Sequence, residues 1–542
     1  MLRPGWVRAL DLITYHVVEN LEEGYPLLSS GPEVCVGVAV VPFPDSVWPG
    51  VGEGLRLAGV LRVAGGPAES VAALVARLYA PGAVAVDEGA DLTLRLDDPE
   101  VDAAAVEGVD PLGRPEGGLE AYRLVVADGR ATVTALSEEG LFRGATTFAQ
   151  LIGADGVVAP VEVSDSPAFA WRGLSMDVAR CFFTVSELER LIDLLALYKF
   201  NVLHLHLSDT QAWRLPITGW PKLTAEDFYS HEDFRHLVAY AAARFVTVVP
   251  ELDMPGHVLA AVRAYPELQG ADPTPHRWLA YLDPRAEEVQ RFTSDVMAEL
   301  ARLTPGPFLH LGGDEAFGMP SELYARFVDE ALRVLRATGK RAVVWQEAAR
   351  SGAVGPDDLV QAWTGIGDEF DLEKARKKTP EEYHPLLEIV AASFTEAGGD
   401  AARAVKAGAP ILVSPSSVLY LDRPYAEESL LAGQSARQDR TGFDSYVPRS
   451  CREQFDWTPH GLQEIPPDAR FAGIEAAIWC ETVSGFEDLA FLLLPRLPGV
   501  AEKAWTREAT GWEDHRGRLA SHAAWWERLG WGGYYRSAEV FG

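Results

Sequence analysis

From about residue 172 the chain alternates short hydrophobic runs with longer segments of helical spacing. One such segment, Val185–Tyr198, is amphipathic, with Thr184 placed to cap it and Glu187 at capping-box distance. Strands that alternate with helices over this length predict a (β/α)8 TIM barrel. The alternative is an open doubly wound sheet, but no glycine-rich phosphate loop follows the first strand. The eight predicted strands are Gly173–Asp177, Val202–Leu207, Val246–Leu252, Phe308–Leu311, Ala342–Trp345, Leu359–Ala362, Ile411–Ser414 and Gly473–Trp479.

Residues 1–167 show a different pattern and are predicted to form a smaller, non-catalytic α+β domain ahead of the barrel. The barrel is predicted to occupy residues 168–542 and to end in an amphipathic helix at Trp512–Trp531. The elements predicted in the first domain are strands at Val36–Val41, Leu92–Leu96, Tyr122–Val126 and Ala131–Ala135 and helices at Glu69–Tyr79 and Leu141–Leu151.

Polar and aromatic residues recur where the predicted barrel strands end. The carboxyl ends of the strands are where TIM barrels keep their chemistry, so we expect these side chains to meet at one mouth. A single residue of this kind could be structural, but the shared position on all eight strands favours a site. These residues are Asp177, Arg180, Asp209, Asp253, His257, Asp314, Glu315, Trp345, Trp363, Tyr420, Asp422, Trp479 and Glu481.

The stretch from Phe308 to Glu315 carries the strongest chemical signal. Its apolar strand ends at Gly312 and Gly313, which let the backbone turn, and Asp314 and Glu315 follow at once. Two close carboxylates do not ionise independently, so one tends to hold its proton. An acid beside an ionised carboxylate is what glycoside cleavage needs. The alternative is an exposed loop in which Asp314 only caps the next helix.

Composition limits the partners. The 542 residues include 48 Lys and Arg against 79 Asp and Glu, a net charge of −31, which disfavours nucleic acid and anionic membrane surfaces. Four cysteines make no disulfide framework. We see no signal peptide and no uncharged run long enough to span a bilayer, so the expected compartment is the cytoplasm, or outside the cell if a signal has been removed. The 15 tryptophans can fill a core or stack on sugar rings.

Four motifs together resemble family 20 of the glycoside hydrolases, the β-N-acetylhexosaminidases, and the similarity covers most of the chain. The residues Gly118–Leu151 are also similar to the end of the family's non-catalytic domain. The four motifs are Trp171–Phe183 around the first strand, Leu203–Asp209, Pro250–His257 and, most specific, His310–Glu315.

The resemblance implies a retaining, exo-acting hydrolase that releases terminal β-linked N-acetylglucosamine or N-acetylgalactosamine. In this family the nucleophile is the substrate's own acetamido oxygen, which forms an oxazolinium intermediate. The matched roles are Glu315 as general acid/base, Asp314 and Tyr420 at the acetamido group, Asp209, Asp253 and His257 as a relay to Glu315, Trp345, Trp363 and Trp479 as aromatic walls, Trp457 at the entrance, and Arg180, Asp422 and Glu481 on the sugar hydroxyls.

The chain departs from the family pattern at a few positions, which affects the expected substrate preference more than the reaction type. Cys181 stands where the family often has His, and Thr210 and Ala212 stand where Asp and Gly are common. The first 35 or so residues have no recognised counterpart. A lacto-N-biosidase-like enzyme with a deeper pocket is therefore an alternative.

Two alternatives from other classes remain at this point. His204 and His206 share one strand face and, with His257, His310 and Asp314, could bind a divalent metal as in amidohydrolase barrels. That superfamily has its pair after the first strand, however, and here the pair lies on the second. A non-catalytic sugar-binding protein is the other alternative, against which the presence of both acids counts. We therefore expect a small-molecule or oligosaccharide substrate, no cofactor and no metal, and we make no prediction of oligomeric state.

Overall fold

The computed structural model describes residues 38–542 apart from 97–100, 102–103, 115–118, 271–278 and 369. The predicted strand Val36–Val41 begins outside these residues, and its remainder is wrong, because residues 38–41 form no strand. The backbone of Val41 instead exchanges two hydrogen bonds of 2.9 Å with the side-chain amide of Gln150. The division of the chain at residue 167 stays a prediction.

The described residues before the barrel form a mixed sheet of seven strands, a separate two-stranded ribbon and two helices. The elements are β1 (Ser46–Pro49), β2 (Leu55–Arg56), β3 (Leu61–Ala64), α1 (Ala68–Leu78), β4 (Ala83–Ala85), β5 (Leu92–Leu96), β6 (Tyr122–Ala127), β7 (Arg130–Ala135), α2 (Glu138–Gln150), β8 (Val157–Val158) and β9 (Val161–Asp165). The order in the sheet is β1-β9-β6-β7-β5-β3-β4, the ribbon pairs β2 with β8, and helices α1 and α2 pack against the sheet. The other predicted strands and both helices are confirmed to within three residues.

The predicted TIM barrel is confirmed: eight parallel strands in the described residues close on themselves, with the last strand paired to the first. Each apolar run singled out in the sequence overlaps one of these strands, and the bounds differ by at most two residues. They are β10 (Trp171–Asp177), β11 (Val202–His206), β12 (Thr247–Glu251), β13 (Phe308–His310), β14 (Arg341–Trp345), β15 (Leu359–Ala362), β16 (Ile411–Val413) and β17 (Phe471–Ile478).

The helices of the barrel lie between and after these strands. The first begins with the predicted capping box, in which Thr184 and Glu187 bond each other's backbone N–H. The helices are α3 (Val185–Leu197), α4 (His231–Ala242), α5 (Leu259–Ala264), α6 (Glu287–Leu303), α7 (Ser321–Ala337), α8 (Leu372–Lys378), α9 (His384–Ala397), α10 (Asp400–Lys406), α11 (Ser416–Leu419), α12 (Ser435–Gln438), α13 (Cys451–Phe455), α14 (Phe486–Leu493), α15 (Leu497–Trp505), α16 (Trp512–Leu519), α17 (Ala523–Arg528) and α18 (Ala538–Phe541).

The single closing helix predicted at Trp512–Trp531 is wrong, because α16 and α17 are separated by a 3-10 turn, Ala520–His522. The turn places the buried ring of His522 between the Tyr198 hydroxyl at 2.9 Å and the Ala39 carbonyl at 3.0 Å. None of the described helices is long and apolar enough to cross a membrane.

The barrel interior is layered. An apolar layer at its base takes one residue from every strand, and above it lies a polar layer built around the fully buried carboxylates of Glu251 and Glu475. A polar layer is unusual, since branched aliphatic residues dominate most TIM-barrel interiors. The apolar layer consists of Trp171, Val202, Val249, Phe308, Val343, Leu359, Leu412 and Ala472.

A buried ionic cluster joins the N-terminal sheet to the barrel. Asp165 on β9 accepts a 2.8 Å bond from Lys199 Nζ, a 2.5 Å bond from the Tyr122 hydroxyl and a 2.9 Å bond from the Trp505 indole. Neither the Asp165 nor the Lys199 side chain is exposed. A buried charge of this kind depends on its partner, because water cannot replace it.

We therefore expect Asp165→Asn to lower the free energy of unfolding by roughly 3–5 kcal/mol, because it leaves the Lys199 ammonium buried without a counter-charge. Urea denaturation followed by far-ultraviolet circular dichroism measures the change. The matched control is Glu330→Gln, which breaks the 2.9 Å pair between Arg326 and Glu330 on the surface of α7. That control should cost about 0.5 kcal/mol or less, and equal losses in the two variants would contradict the role given to Asp165.

Candidate active site

The two adjacent acids lie just beyond β13, where the backbone makes a sharp turn. Gly312 has a φ of +83°, and a Cβ atom there would lie 1.8 Å from Asp253 Oδ1. The same oxygen accepts the N–H of Gly313 at 3.1 Å. The turn therefore needs glycine both for its conformation and for the close approach of Asp253, and it directs Asp314 and Glu315 into the barrel mouth.

His257 connects the two acids to Asp209, which follows the second barrel strand, β11. Its Nε2 lies 3.3 Å from Glu315 Oε2 and 3.6 Å from Asp314 Oδ2, and its Nδ1 lies 3.1 Å from Asp209 Oδ2. Both His257 and Glu315 have positive φ, at +54° and +44°. Non-glycine residues in that region are strained and concentrate at functional sites, so these two side chains are held in place by their surroundings.

Arg180 forms the centre of a second ionic group at the mouth. It reaches Asp177 at 3.0 Å, Asp209 at 2.9 Å and Glu481 at 3.4 Å. Burial alone would raise the pKa of Asp209, but the charges of His257 and Arg180 outweigh burial and hold that pKa well below its usual value. Asp209 is therefore a fixed negative charge between two cations.

Asp253 and Asp314 form a carboxyl pair that keeps a proton. Burial, opposed by His257 and assisted by the charge of Glu251, raises the pKa of Asp253 to about 7. Burial and the neighbouring Asp253 raise the pKa of Asp314 well above its usual value. Asp314 thus shares a proton with Asp253, an acid that the sequence did not pair with it.

Three of the predicted aromatic walls and Tyr420 lie together. The ring centroids of Trp345 and Trp479 are 5.8 Å apart, those of Tyr420 and Trp479 are 5.9 Å apart, and the Trp363 ring lies 6.4 Å from Tyr420 and nearly parallel to it. Trp345 and Tyr420 are buried, while Trp363 and Trp479 are half-buried. The four rings form an apolar wall beside the carboxyl pair.

Some of the polar atoms at the mouth have no protein partner. Among the described residues, Asp314 Oδ1 and both carboxylate oxygens of Asp422 are buried without a hydrogen bond. Burial and the charge of Glu481 raise the pKa of Asp422 well above its usual value. Buried acceptors are normally satisfied, so these atoms are places where a ligand can supply the donors.

Trp457 is a predicted site residue that the described contacts do not join to the aromatic wall. Its buried indole donates a 3.1 Å bond to the carbonyl of Gln454 on α13, and its ring stacks on none of the site tryptophans in the described residues. Its role at the entrance stays a prediction.

Cys181, which follows Arg180, is half-buried. Burial and the charge of Asp177 raise its pKa to about 11, so the thiol is uncharged at neutral pH. Cys181, Cys451 and Cys480 are free thiols, and Cys35 lies outside the described residues.

Two side chains near the wall were missed from the sequence. Both carboxylate oxygens of the buried Glu347 lie within 3.2 Å of the Trp363 indole nitrogen, and the ring of Tyr446 meets that of Tyr420 edge-on at 6.1 Å. Glu347 stands two residues after a strand-end tryptophan, which was an available signal. Tyr446 lies in the long irregular connection before β17, where no pattern points to it.

In the part of the chain that the structure describes, three groups of acids and histidines are close enough to hold a metal ion: His204, Glu251 and His310; His206, Glu251 and Asp253; and Asp253, His257 and Asp314. In the second group, both nitrogens of His206 already have carboxylate partners. His206 bonds Glu251 through Nδ1 at 2.6 Å and Asp209 through Nε2 at 3.0 Å. Burial would lower the pKa of His206, but these two carboxylates raise it well above its usual value, and an imidazolium offers no lone pair to a metal.

Comparison with known proteins identifies the family of the chain. The profile of the glycosyl hydrolase family 20 catalytic domain matches residues 169–321 and 382–508, and that of domain 2 of the same family matches residues 38–166. A β-N-acetylhexosaminidase of Cellulomonas fimi is 37% identical over 481 residues, which cover 83% of this chain and 89% of the relative.

Solved structures show the same relationship. The family 20 β-N-acetylhexosaminidase of Streptomyces coelicolor superimposes with a TM-score of 0.74 at 32% identity, covering 93% of this chain and 98% of that one. A mutant Streptomyces plicatus β-hexosaminidase in complex with its product GlcNAc also has a TM-score of 0.74, at 30% identity, covering 93% and 97% of the two chains. The chain therefore belongs to glycosyl hydrolase family 20 and is a glycoside hydrolase.

Proposed function

We propose that this enzyme is a retaining, exo-acting β-N-acetylhexosaminidase that hydrolyses terminal, non-reducing β-linked GlcNAc or GalNAc. The observation that carries the proposal is the adjacent pair Asp314 and Glu315 beside the wall of Trp345, Trp363, Tyr420 and Trp479. The pair offers charge and a proton, and the wall offers an apolar slot for an acetamido group. The Streptomyces plicatus relative, whose structure holds GlcNAc as product, supports the same sugar class.

The first step needs a proton for the leaving group. Glu315, whose side chain is 24% exposed, is the general acid that protonates the glycosidic oxygen as the bond to the anomeric carbon breaks. The acetamido carbonyl oxygen attacks the anomeric carbon from the opposite face and closes the oxazolinium ring. Glu315 then takes a proton from water, which opens the ring at the anomeric carbon and leaves the sugar with its original configuration.

The carboxyl pair serves the acetamido group. As the substrate binds, the shared proton moves from Asp314 to Asp253, and the carboxylate of Asp314 accepts the acetamido N–H at its unpartnered Oδ1. Its negative charge then faces the positive charge that develops on the oxazolinium ring, where it stabilises the transition state more than the ground state. The Tyr420 hydroxyl donates to the acetamido oxygen and holds it in line with the anomeric carbon.

The remaining polar residues bind the sugar ring. Asp422 has two buried oxygens without partners, and Arg180 and Glu481 lie at the same edge of the mouth. These groups accept and donate hydrogen bonds to the remote hydroxyls of a terminal sugar. A sugar that lacks those hydroxyls leaves Asp422 buried and unpaired, so it is rejected. Because these residues close the site beyond the terminal sugar, the enzyme is exo-acting. Equal turnover of aryl N-acetylglucosaminides and aryl lacto-N-biosides would instead favour the release of disaccharides.

We expect Glu315→Gln to lose activity mainly on substrates with poor leaving groups, by about 10²–10⁴-fold, because a positioned general acid supplies that much. A dinitrophenyl leaving group needs little protonation and should retain most of its rate. The measurement is kcat/KM for alkyl and dinitrophenyl N-acetylglucosaminides side by side. Glu322→Gln, on the exposed face of α7, is the control and should match the wild type for both. Equal losses on the two substrates would contradict the acid role.

Asp314→Asn tests the nucleophile. The substitution keeps the shape but removes the charge that faces the oxazolinium, so kcat should fall strongly while KM changes less. On the wild type, a trifluoroacetamido sugar, whose oxygen is a weaker nucleophile, should react more slowly than the acetamido sugar. Incubation with a 2-fluoro sugar followed by mass spectrometry is the contrary test. A covalent adduct on Asp314 or Glu315 would show that the enzyme supplies the nucleophile and would overturn the substrate-assisted step.

A further inference from the structure

A carboxylate to which the proposed mechanism gives no part, Glu251, lies at the C-terminal end of β12 inside the barrel. It is fully buried, and both of its oxygens are occupied. Oε2 accepts the Nδ1 proton of His206 at 2.6 Å and lies 3.1 Å from His204 Nε2. Oε1 accepts the indole proton of Trp345 at 2.7 Å and lies 3.1 Å from His310 Nδ1. The Glu251 side chain therefore contacts groups from three other strands of the barrel, β11, β13 and β14.

The first branch of these contacts leads to the acid. From Glu251 the chain of bonds passes through His206 to Asp209 at 3.0 Å, and from Asp209 to His257 at 3.1 Å. His257 Nε2 then lies 3.3 Å from Glu315 Oε2. Each imidazole ring in this series lies between two carboxylates, so a displacement at one end changes the direction of every bond that follows.

The second branch leads to the floor of the apolar wall. Trp345 is held by its indole bond to Glu251 and packs against Trp479 at 5.8 Å. Trp479 in turn meets the ring of His206 edge-on at 5.2 Å and that of Tyr420 at 5.9 Å. The series His206, Asp209 and His257, which we call the acid relay, thus meets the aromatic wall at two points. One is Glu251, and the other is the contact of Trp479 with His206.

The charges agree with this arrangement. Burial would raise the pKa of Glu251, but the facing histidines outweigh burial and hold it well below its usual value. The carboxylates in turn keep His206 protonated, as described above. The titratable and charged groups that face Glu251, His206 and Asp209 from the elements around them are His204, His310, Asp253, Arg180 and His257.

We propose that Glu251 is a positioning residue that fixes the acid relay and the aromatic wall relative to each other. This inference rests on the proposed function, because it needs Glu315 as the acid and the wall as the sugar site. The carboxylate does not touch substrate. Its charge keeps His206 as a donor to both neighbours, and its two oxygens set the distance between the relay and Trp345.

A second buried carboxylate offers a matched control. Glu475 on β17 is also fully buried and accepts bonds from the Trp171 indole at 2.8 Å, from His204 Nδ1 at 2.9 Å and from Gln361 Nε2 at 3.2 Å. None of these three partners is a proposed substrate contact. Glu475→Gln therefore removes a buried carboxylate from the same layer that bonds neither His206 nor Trp345 and reaches Glu251 only through His204.

The experiment compares Glu251→Gln with Glu475→Gln. In Glu251→Gln we expect kcat on an alkyl N-acetylglucosaminide to fall by about 10²-fold, the loss typical of a misplaced catalytic group. The loss on the dinitrophenyl glycoside should be smaller. Because His206 loses one of the two carboxylates that keep it protonated, the basic limb of the kcat/KM profile should also move to lower pH. Glu475→Gln should lose stability but keep the wild-type pH profile and leaving-group dependence.

Glu251→Asp separates charge from reach. It keeps the carboxylate, so the pH profile should stay that of the wild type, but its shorter side chain cannot hold both branches, and kcat should fall. This variant also tests the proposal if Glu251→Gln does not accumulate as folded protein. A wild-type kcat in Glu251→Asp would overturn the inference, as would a Glu251→Gln enzyme that behaves like Glu475→Gln. A failure of the proposed function would be recognised separately: Glu315→Gln would then lose the same activity on alkyl and dinitrophenyl glycosides.

Discussion

The architecture depends on the burial of two carboxylates inside a closed barrel. Moving a carboxylate out of water costs several kcal/mol, and the cost is recovered only if donors surround it with good geometry. Glu251 and Glu475 meet this condition because the neighbouring strands present imidazole, indole and amide donors at the same height. The donors can do so only while the strands keep their register, so the polar layer and the parallel barrel require each other. The apolar layer beneath it excludes water from below.

The carboxylates inside the barrel and those at its mouth differ in how completely they are hydrogen-bonded. Inside, the carboxylates of Glu251 and Glu475 are fully bonded, whereas at the mouth Asp314 and Asp422 keep buried oxygens without partners. Natural proteins normally satisfy such groups, and the exceptions concentrate where function requires them. The site is therefore defined as much by what the protein leaves unsatisfied as by the residue types that line it. The bonded carboxylates of the interior support a rim whose unpartnered oxygens are open to a ligand.

The sequence was most informative where one physical rule dominates. Buried parallel strands read as nearly continuous apolar runs, and all eight were located; residues just past their ends were brought together because strand direction alone places them at one mouth. Glu251 and Glu475 were passed over, although a lone acid inside an apolar strand is itself a signal of a buried bond network. The errors at Val36–Val41 and Trp512–Trp531 have another cause. At Val41 the distant side chain of Gln150 takes the backbone hydrogen bonds that a strand would have used, and at the other error the side chain of His522 bonds Tyr198 and Ala39 from a 3-10 turn.

The buried ionic cluster of Asp165 and Lys199 also affects how such a chain can evolve. Arg172, at the start of the barrel, bonds Glu120, which lies in the turn before β6, at 2.5 Å, so two cations at the base of the barrel have their counter-charges in the N-terminal part of the chain. Genetic exchange moves domains freely when the surfaces between them are interchangeable, but this surface is ionic and specific. A barrel transferred without its sheet would carry two buried cations with nothing to neutralise them. The two parts are therefore expected to be inherited together, as one unit of recombination.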